Sequence, residues 1–296
     1  MTTRRPGMDH ELYRYSPLPK RASRRWPNDA SLAVCIYLYF EFLEFDPPRD
    51  IVSDPRLRVR PHPDCRDYSW YEYGNRVAIF RILDALDRHG FKATVAANSE
   101  ACRRFPYLVE AFQSRGFELV GHGMTANRMM TSRMTEAEER ASIAEALETI
   151  EAATGTRARG WISQDYGESA RTPRLLAEAG LTYVADWPND DEPYRMTLGK
   201  DFVSLPNQSQ WDDMLLVWDR RVQMPRYRQI VGEAFDRLLM EGQRSGRFFS
   251  LGVHPWLMGA AHRIGYFEQV LAQIVEARNV WQATGGEVAD HILATS

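Results

Sequence analysis

From Ser31 the chain reads SLAVCIYLYF, a run that is apolar or aromatic at every position after the first, and it turns to charge at Glu41. A short unbroken run of this kind predicts a strand covered on both faces, as in a parallel sheet, because a half-exposed strand would alternate with polar residues. The next stretch, FDPPRDIVSDPRLRVRPHPDCRDYSW, has no period and is rich in Pro and Asp. An aperiodic segment of this length inside a domain predicts a specialised surface loop that frames a pocket. Apolar spacing at Val77, Ile79, Phe80, Ile82, Leu83 and Leu86 predicts a helix over residues 75–89, stopped at Gly90 with Arg88 and His89 in its last turn.

KATVAAN then reads as a strand, followed by a helix near residues 106–115 and a short strand FELVG. Thr135 and Glu138 have the spacing of a capping box at the start of a long helix over residues 135–153. ARGWI, a helix with Pro173 in its first turn, LTYVADW, VSLP, a helix over residues 227–241, RFFSLGVHP and a closing pair of helices continue the alternation. Strand–helix alternation from residue 31 to the end predicts one parallel α/β domain over residues 31–296, either a barrel or a doubly wound sheet, preceded by an N-terminal arm over residues 1–30.

The composition is that of an ordinary globular chain: 296 residues, 44% hydrophobic, 26% charged. A net charge of −3 gives no basic footprint for nucleic acid or an anionic membrane, so neither partner is expected. No apolar run of signal-peptide or membrane-span length is present, which places the expected compartment in the cytoplasm. Cys35, Cys65 and Cys102 are too few and too scattered for a disulfide framework.

In parallel α/β folds ligands bind at the carboxyl ends of strands, so polar residues just after a strand are the first candidates. Five stand out: Glu41, Asn98, His122, Asp186 and His254. No Gly-rich phosphate loop, GxSxG elbow or HExxH is present, which leaves carboxylate and imidazole chemistry. Imidazoles titrate near neutrality and either hold a metal or move a proton. Asp186 is a candidate to orient a histidine, and Asp190 and Asp191 in DWPNDDEPY are candidates for polar substrate groups. Trp70, Tyr73 and Arg76 are candidates for an aromatic wall and a cation beside the site. Structural alternatives stand beside each of these: a histidine tied down at a strand end, a solvated acidic loop, an aromatic belt under a loop.

The ordered set YFEFLEFDPP, RDYSWYEYGNRVAIFRILDALDRHGFKATV, FELVGHGMT, GW, LTYVADWPNDDEPY, VSLP and GVHPW resembles the polysaccharide deacetylase superfamily (carbohydrate esterase family 4-like), and within it the allantoinase and cyclic-imide-hydrolase-like branch. The resemblance covers nearly the whole chain. It implies a deformed (β/α)7 barrel of the NodB-like type and hydrolysis of non-peptide C–N bonds, with homo-oligomers common in that branch. Metal-dependent members carry paired aspartates after the first strand and a second histidine four residues beyond the first. Here Glu41 stands between Phe40 and Phe42, and Ala126 stands four after His122, with Asn127 next.

Two readings of cofactor follow: a variant divalent site, such as zinc, on Glu41, His122 and Asn127 or His254, or catalysis without metal. The expected reaction is water attack on a linear or cyclic amide, imide or ureide of a small molecule, with Glu41 activating water, His254 protonating the leaving nitrogen, and Arg76 or a backbone N–H holding the oxyanion. The alternatives are a metal-dependent N-deacetylase of amino sugars or peptidoglycan precursors, and a barrel that binds a small molecule without turnover.

Overall fold

The structure is a computed structural model and describes residues 7–48, 63–199 and 201–295. Most of the aperiodic segment, residues 49–62, lies outside the described residues. In chain order the regular elements are β1 (Leu32–Phe40), α1 (Cys65–Tyr73), α2 (Ile79–His89), β2 (Thr94–Ala97), α3 (Ser99–Arg104), α4 (Pro106–Gln113), β3 (Glu118–Gly121), α5 (Glu136–Thr154), β4 (Gly160–Trp161), α6 (Thr172–Glu178), β5 (Tyr183–Val184), β6 (Tyr194–Arg195), β7 (Val203–Ser204), α7 (Met224–Gly242), β8 (Arg247–Val253), α8 (Pro255–Met258), α9 (Ile264–Glu276), β9 (Val280–Gln282) and α10 (Gly285–Thr295).

Seven strands run parallel in the order β7-β5-β4-β3-β2-β1-β8. β6 is antiparallel to β7, and β9 pairs with the start of β1. Among the described residues no ladder joins β7 to β8, so the barrel is deformed there. Single bonds span the seam instead: Gln208 N–H donates to Ser250 Oγ, the Ser250 hydroxyl donates to Pro206 O, and Phe248 N–H donates to Asp191 O. The expected deformed seven-stranded barrel is therefore the observed one.

The unbroken apolar run of β1 divides by parity. Leu32, Val34, Ile36, Leu38 and Phe40 pack outward under the helices, whereas Ala33, Cys35, Tyr37 and Tyr39 join an inner core with Ala96, Val120, Ile162, Tyr183, Ala185 and Phe248. Both faces are buried, which is why the run shows no alternation. Two glycines let the inner layer close. A Cβ on Gly160 would stand 2.1 Å from the Tyr183 ring, and one on Gly285 would stand 2.5 Å from the Tyr183 hydroxyl oxygen. At the amino end of the strands, the first turn of α10 closes the barrel, its Gly285 N–H donating to Thr94 Oγ1 and its Gly286 N–H to Glu118 Oε2.

The local signals read in the sequence are borne out for the long helices. Thr135 and Glu138 form the capping box of α5, a motif whose cap alone is worth about 1 kcal/mol. α2 buries Ile79, Ile82, Leu83, Ala85 and Leu86 and ends on left-handed Gly90. α1 was not expected, because its residues CRDYSWYEY carry no clear apolar stripe; Asp64 caps it by accepting from the N–H groups of Arg66 and Asp67.

Candidate active site

The inward parity of each strand carries past its end and delivers the polar residues. Ala33, Cys35, Tyr37 and Tyr39 are followed at the same spacing by Glu41; Thr94 and Ala96 by Asn98; Val120 by His122; Ile162 by Gln164; Phe248, Ser250 and Gly252 by His254. Glu41, His122, Gln164 and His254 line one cleft with Tyr39, Tyr71, Ala126, Ser163, Asp165, Tyr166, Asp212 and Met214. The free space among them is about 20 Å³, room for about one water.

Glu41 is 3% exposed. Its backbone carbonyl accepts from Asn75 Nδ2 at 2.7 Å, and its Oε1 accepts from Gln164 Nε2 at 2.9 Å. His122 Nε2 lies 3.5 Å from Oε1, within ion-pair reach but outside hydrogen-bonding geometry. Burial pushes the Glu41 carboxyl up, but His122 and the positive charge of His254 outweigh it and leave it below its ordinary 4.5. Glu41 Oε2 and His122 Nε2 are buried with no hydrogen-bond partner among the described residues.

His122 Nδ1 stands 2.6 Å from the carbonyl oxygen of Ile162. A carbonyl only accepts, so Nδ1 carries a proton and Nε2 is the ring nitrogen turned to the cleft. His254 is held differently. Its Nδ1 is 2.7 Å from Asp213 Oδ1, its backbone N–H donates to Asp213 Oδ2 at 2.7 Å, and its ring stacks on Tyr39 with centroids 4.0 Å apart and planes 5° from parallel. Burial alone would lower the imidazole's pKa, but the charge and hydrogen bond of Asp213 raise it above 6.5. The surroundings thus favour the ionised form of the Glu41 carboxyl and the protonated form of the His254 imidazole.

The other expected site residues are placed as follows. Asn98 braces rather than faces the cleft: its Oδ1 accepts from Phe42 N–H, and its Nδ2 donates to His122 O at 2.5 Å. Asp186 does not orient an imidazole. It follows inward-facing Ala185, so it falls on the opposite side, where it accepts the Ser163 N–H at 2.6 Å. Asp213 performs the orienting instead. Arg76 is exposed, pairs with Glu72 at 3.5 Å and is not part of the cleft lining. Tyr73 accepts from Arg81, and the residue that α1 turns to the cleft is Tyr71. Trp70 stacks over Trp256 at 6.4 Å under Arg66, outside the cleft lining. Asp190 pairs with Arg21 of the N-terminal arm, and Asp191 lies at the β8 seam; neither reaches the cleft.

A divalent metal needs three or more protein ligands. Asn127 is turned to Glu44, accepting its N–H at 3.2 Å and the Thr125 hydroxyl at 3.1 Å, and Ala126 occupies the neighbouring wall. His254 holds Asp213 through Nδ1, which leaves its Nε2 toward the cleft, but no group of three His, Cys, Asp or Glu among the described residues is placed to hold an ion. The residues present do not fit the expected divalent site.

Gln164, Asp212, Asp213 and Tyr166 were not anticipated. Parity past the strand GW finds Gln164 from sequence. Asp212 and Asp213 stand eight and nine positions after β7, in QWDDM, and no strand-end signal marks them.

Such an α/β barrel, with a carboxylate and two imidazoles converging at its carboxyl strand ends, belongs to the class of sites built for acid–base chemistry. Residues 67–184 match the polysaccharide deacetylase family. A Schizosaccharomyces pombe protein named "Putative polysaccharide deacetylase" is 24% identical over 298 residues, covering 89% of this chain and 91% of its own. Among solved structures, PuuE allantoinase superposes with a TM-score of 0.82 at 25% identity, covering 93% of this chain and 94% of its own. A "probable Polysaccharide deacetylase" from Pseudomonas aeruginosa PAO1 gives a TM-score of 0.83 at 25% identity, covering 93% and 95%.

Proposed function

We propose that the protein hydrolyses a non-peptide C–N bond, in an amide, imide or ureide of a small molecule, by paired acid–base catalysis on Glu41 and His254. One observation carries the reading: a buried carboxylate held below its ordinary pKa and a buried imidazole held above its own line the same cleft. Pairs of titratable groups pushed apart in this way mark a base and an acid.

In this mechanism a water donates to Glu41 Oε2 and lies against His122 Nε2, two buried atoms that are otherwise unpartnered among the described residues. Its oxygen attacks the carbonyl carbon as Glu41 takes the proton. The tetrahedral intermediate collapses with cleavage of the C–N bond, and the electron pair on nitrogen takes the proton from His254 Nε2. Gln164 fixes the Glu41 carboxylate, and Asp213 fixes the ring tautomer that leaves Nε2–H as the acid. Similarity to an allantoinase and to named deacetylases agrees with this bond class.

The test is product analysis after incubation with allantoin, succinimide and N-acetylglucosamine. Ring-opened acid or free acetate is the expected outcome, and His254→Ala should slow its release about 10²-fold or more. Ligand binding without product would favour the binding-barrel reading instead.

A further inference from the structure

The ring of Tyr39 meets His254 in an arrangement that neutral aromatic rings avoid. The centroids stand 4.0 Å apart and the planes are 5° from parallel. Neutral pairs settle offset or edge-to-face at about 4.5–7 Å, because their like-signed faces repel when laid flat on each other. Near-parallel pairs of neutral rings elsewhere keep to that range, among them Trp211–Phe249 at 5.6 Å and Phe112–Phe117 at 6.4 Å. A positive charge on one ring reverses the sign, since a cation over a phenol face is attracted by the ring quadrupole, most strongly where water is excluded. Tyr39 and His254 are both buried.

The chain is arranged to hold this contact. β1 and β8 run parallel in a register that sets Leu38 beside Val253, so Tyr39 and His254 follow as inward neighbours. Gly252 makes the room: a Cβ there would stand 3.2 Å from the Tyr39 ring. At the far end of the phenol, Asn207 Nδ2 donates to the hydroxyl at 3.2 Å and to Ala185 O at 3.2 Å. The ring is therefore fixed by its strand at one end and by a buried amide at the other.

Burial alone would lower the His254 pKa, but Asp213 at Nδ1, Glu41 at the end of β1 and Asp212 after β7 raise it above 6.5. Burial and the adjacent Asp213 raise the Asp212 carboxyl itself to about 6. Arg263 bears on Asp213. His122 tilts against the same phenol at 5.3 Å, and Trp256 of α8 stands T-shaped to the imidazole at 6.4 Å.

We propose that Tyr39 is a positioning residue for the acid: its face fixes the plane of the His254 ring and favours the imidazolium over the neutral imidazole, so that the Nε2 proton is in place for the leaving nitrogen. The acid role rests on the hydrolase reading of the cleft; the contact with the charged ring does not.

The experiment is an NMR titration of full-length protein isotope-labelled in histidine, with His254 assigned as the signal lost in His254→Ala. Tyr39→Leu removes the aromatic face and should lower the His254 midpoint by about one pH unit, with the alkaline limb of kcat/KM moving down by the same amount. Tyr39→Phe keeps the face, loses only the hydroxyl, and should hold the midpoint within about 0.3 unit. Where Tyr39→Leu fails to fold, Tyr39→Met, which fills more of the space, takes its place. A midpoint unchanged by loss of the ring overturns the proposal. So does a Tyr39→Phe midpoint that falls as far as that of Tyr39→Leu, which would place the effect in the hydroxyl and Asn207. A lowered midpoint in Tyr39→Leu with no hydrolysis by the wild-type protein leaves the contact with the charged ring standing and overturns the hydrolase reading alone.

Discussion

Replacing Asp213 by Asn tests the acid half of the mechanism. Asp213 is fully buried and accepts two donors of one residue, the ring Nδ1–H and the backbone N–H of His254, each at 2.7 Å. Asparagine offers one acceptor and one donor, so the isosteric variant either strands a donor or turns the ring to the tautomer with its lone pair on Nδ1. In that tautomer the proton on Nε2 belongs to a neutral imidazole, which is no useful acid. A hydrogen bond to a charged group is worth about 1.5–3 kcal/mol, and about 1.4 kcal/mol corresponds to one pKa unit. Loss of the Asp213 charge therefore lowers the His254 pKa by about one to two. The acid is active only while protonated, so the alkaline limb of the kcat/KM profile moves to lower pH by the same amount, and the rate on that limb falls about 10-fold to 10²-fold. The acidic limb, set by Glu41 below 4.5, stays in place. Initial rates across the pH range for wild type and variant read both limbs. An alkaline limb that does not move refutes the assignment of His254 and Asp213.

Stability should also report on Asp212. Its carboxyl is raised from 3.8 to about 6 in the fold, so the folded state binds the proton more tightly, and stability is lost as pH rises from about 4 through about 6. Asp212→Asn removes that loss: above pH 6 it should unfold at higher denaturant than wild type, by at most about 3 kcal/mol, while below about pH 4 the two should converge. At the barrel floor, Gly160→Ala places a methyl 2.1 Å from the Tyr183 ring and should cost about 1–3 kcal/mol in urea unfolding; an unchanged midpoint would show the ring moves freely. Chelation should leave turnover within about twofold, because no group of three ligands among the described residues is placed to hold an ion, and chelator-sensitive activity restored by zinc would overturn that reading.

Where the sequence was legible, it was because a single physical rule governed the residue. Glu41, His122 and His254 stand at strand ends with inward parity, so topology alone brings them together. Asp186 was misplaced by one step of the same rule, since Ala185 already takes the inward position. Asp213 was hidden because its place depends on how the chain crosses the open seam between β7 and β8, which no local period encodes. Trp70 and Tyr73 flank Tyr71, the residue that lines the cleft, and an unpredicted helix decided which of the three faces inward. The capping box of α5 and the glycine stop of α2 were readable because caps are local chemistry.

The central claim is that a carboxylate and an imidazole together hydrolyse a C–N bond, and Glu41→Gln tests it most directly. The substitution keeps the bond to Gln164 and the side-chain volume but removes the base. Turnover of the preferred amide, imide or ureide should fall about 10²-fold or more with the thermal transition unchanged; a folded variant that hydrolyses at the wild-type rate would contradict the account.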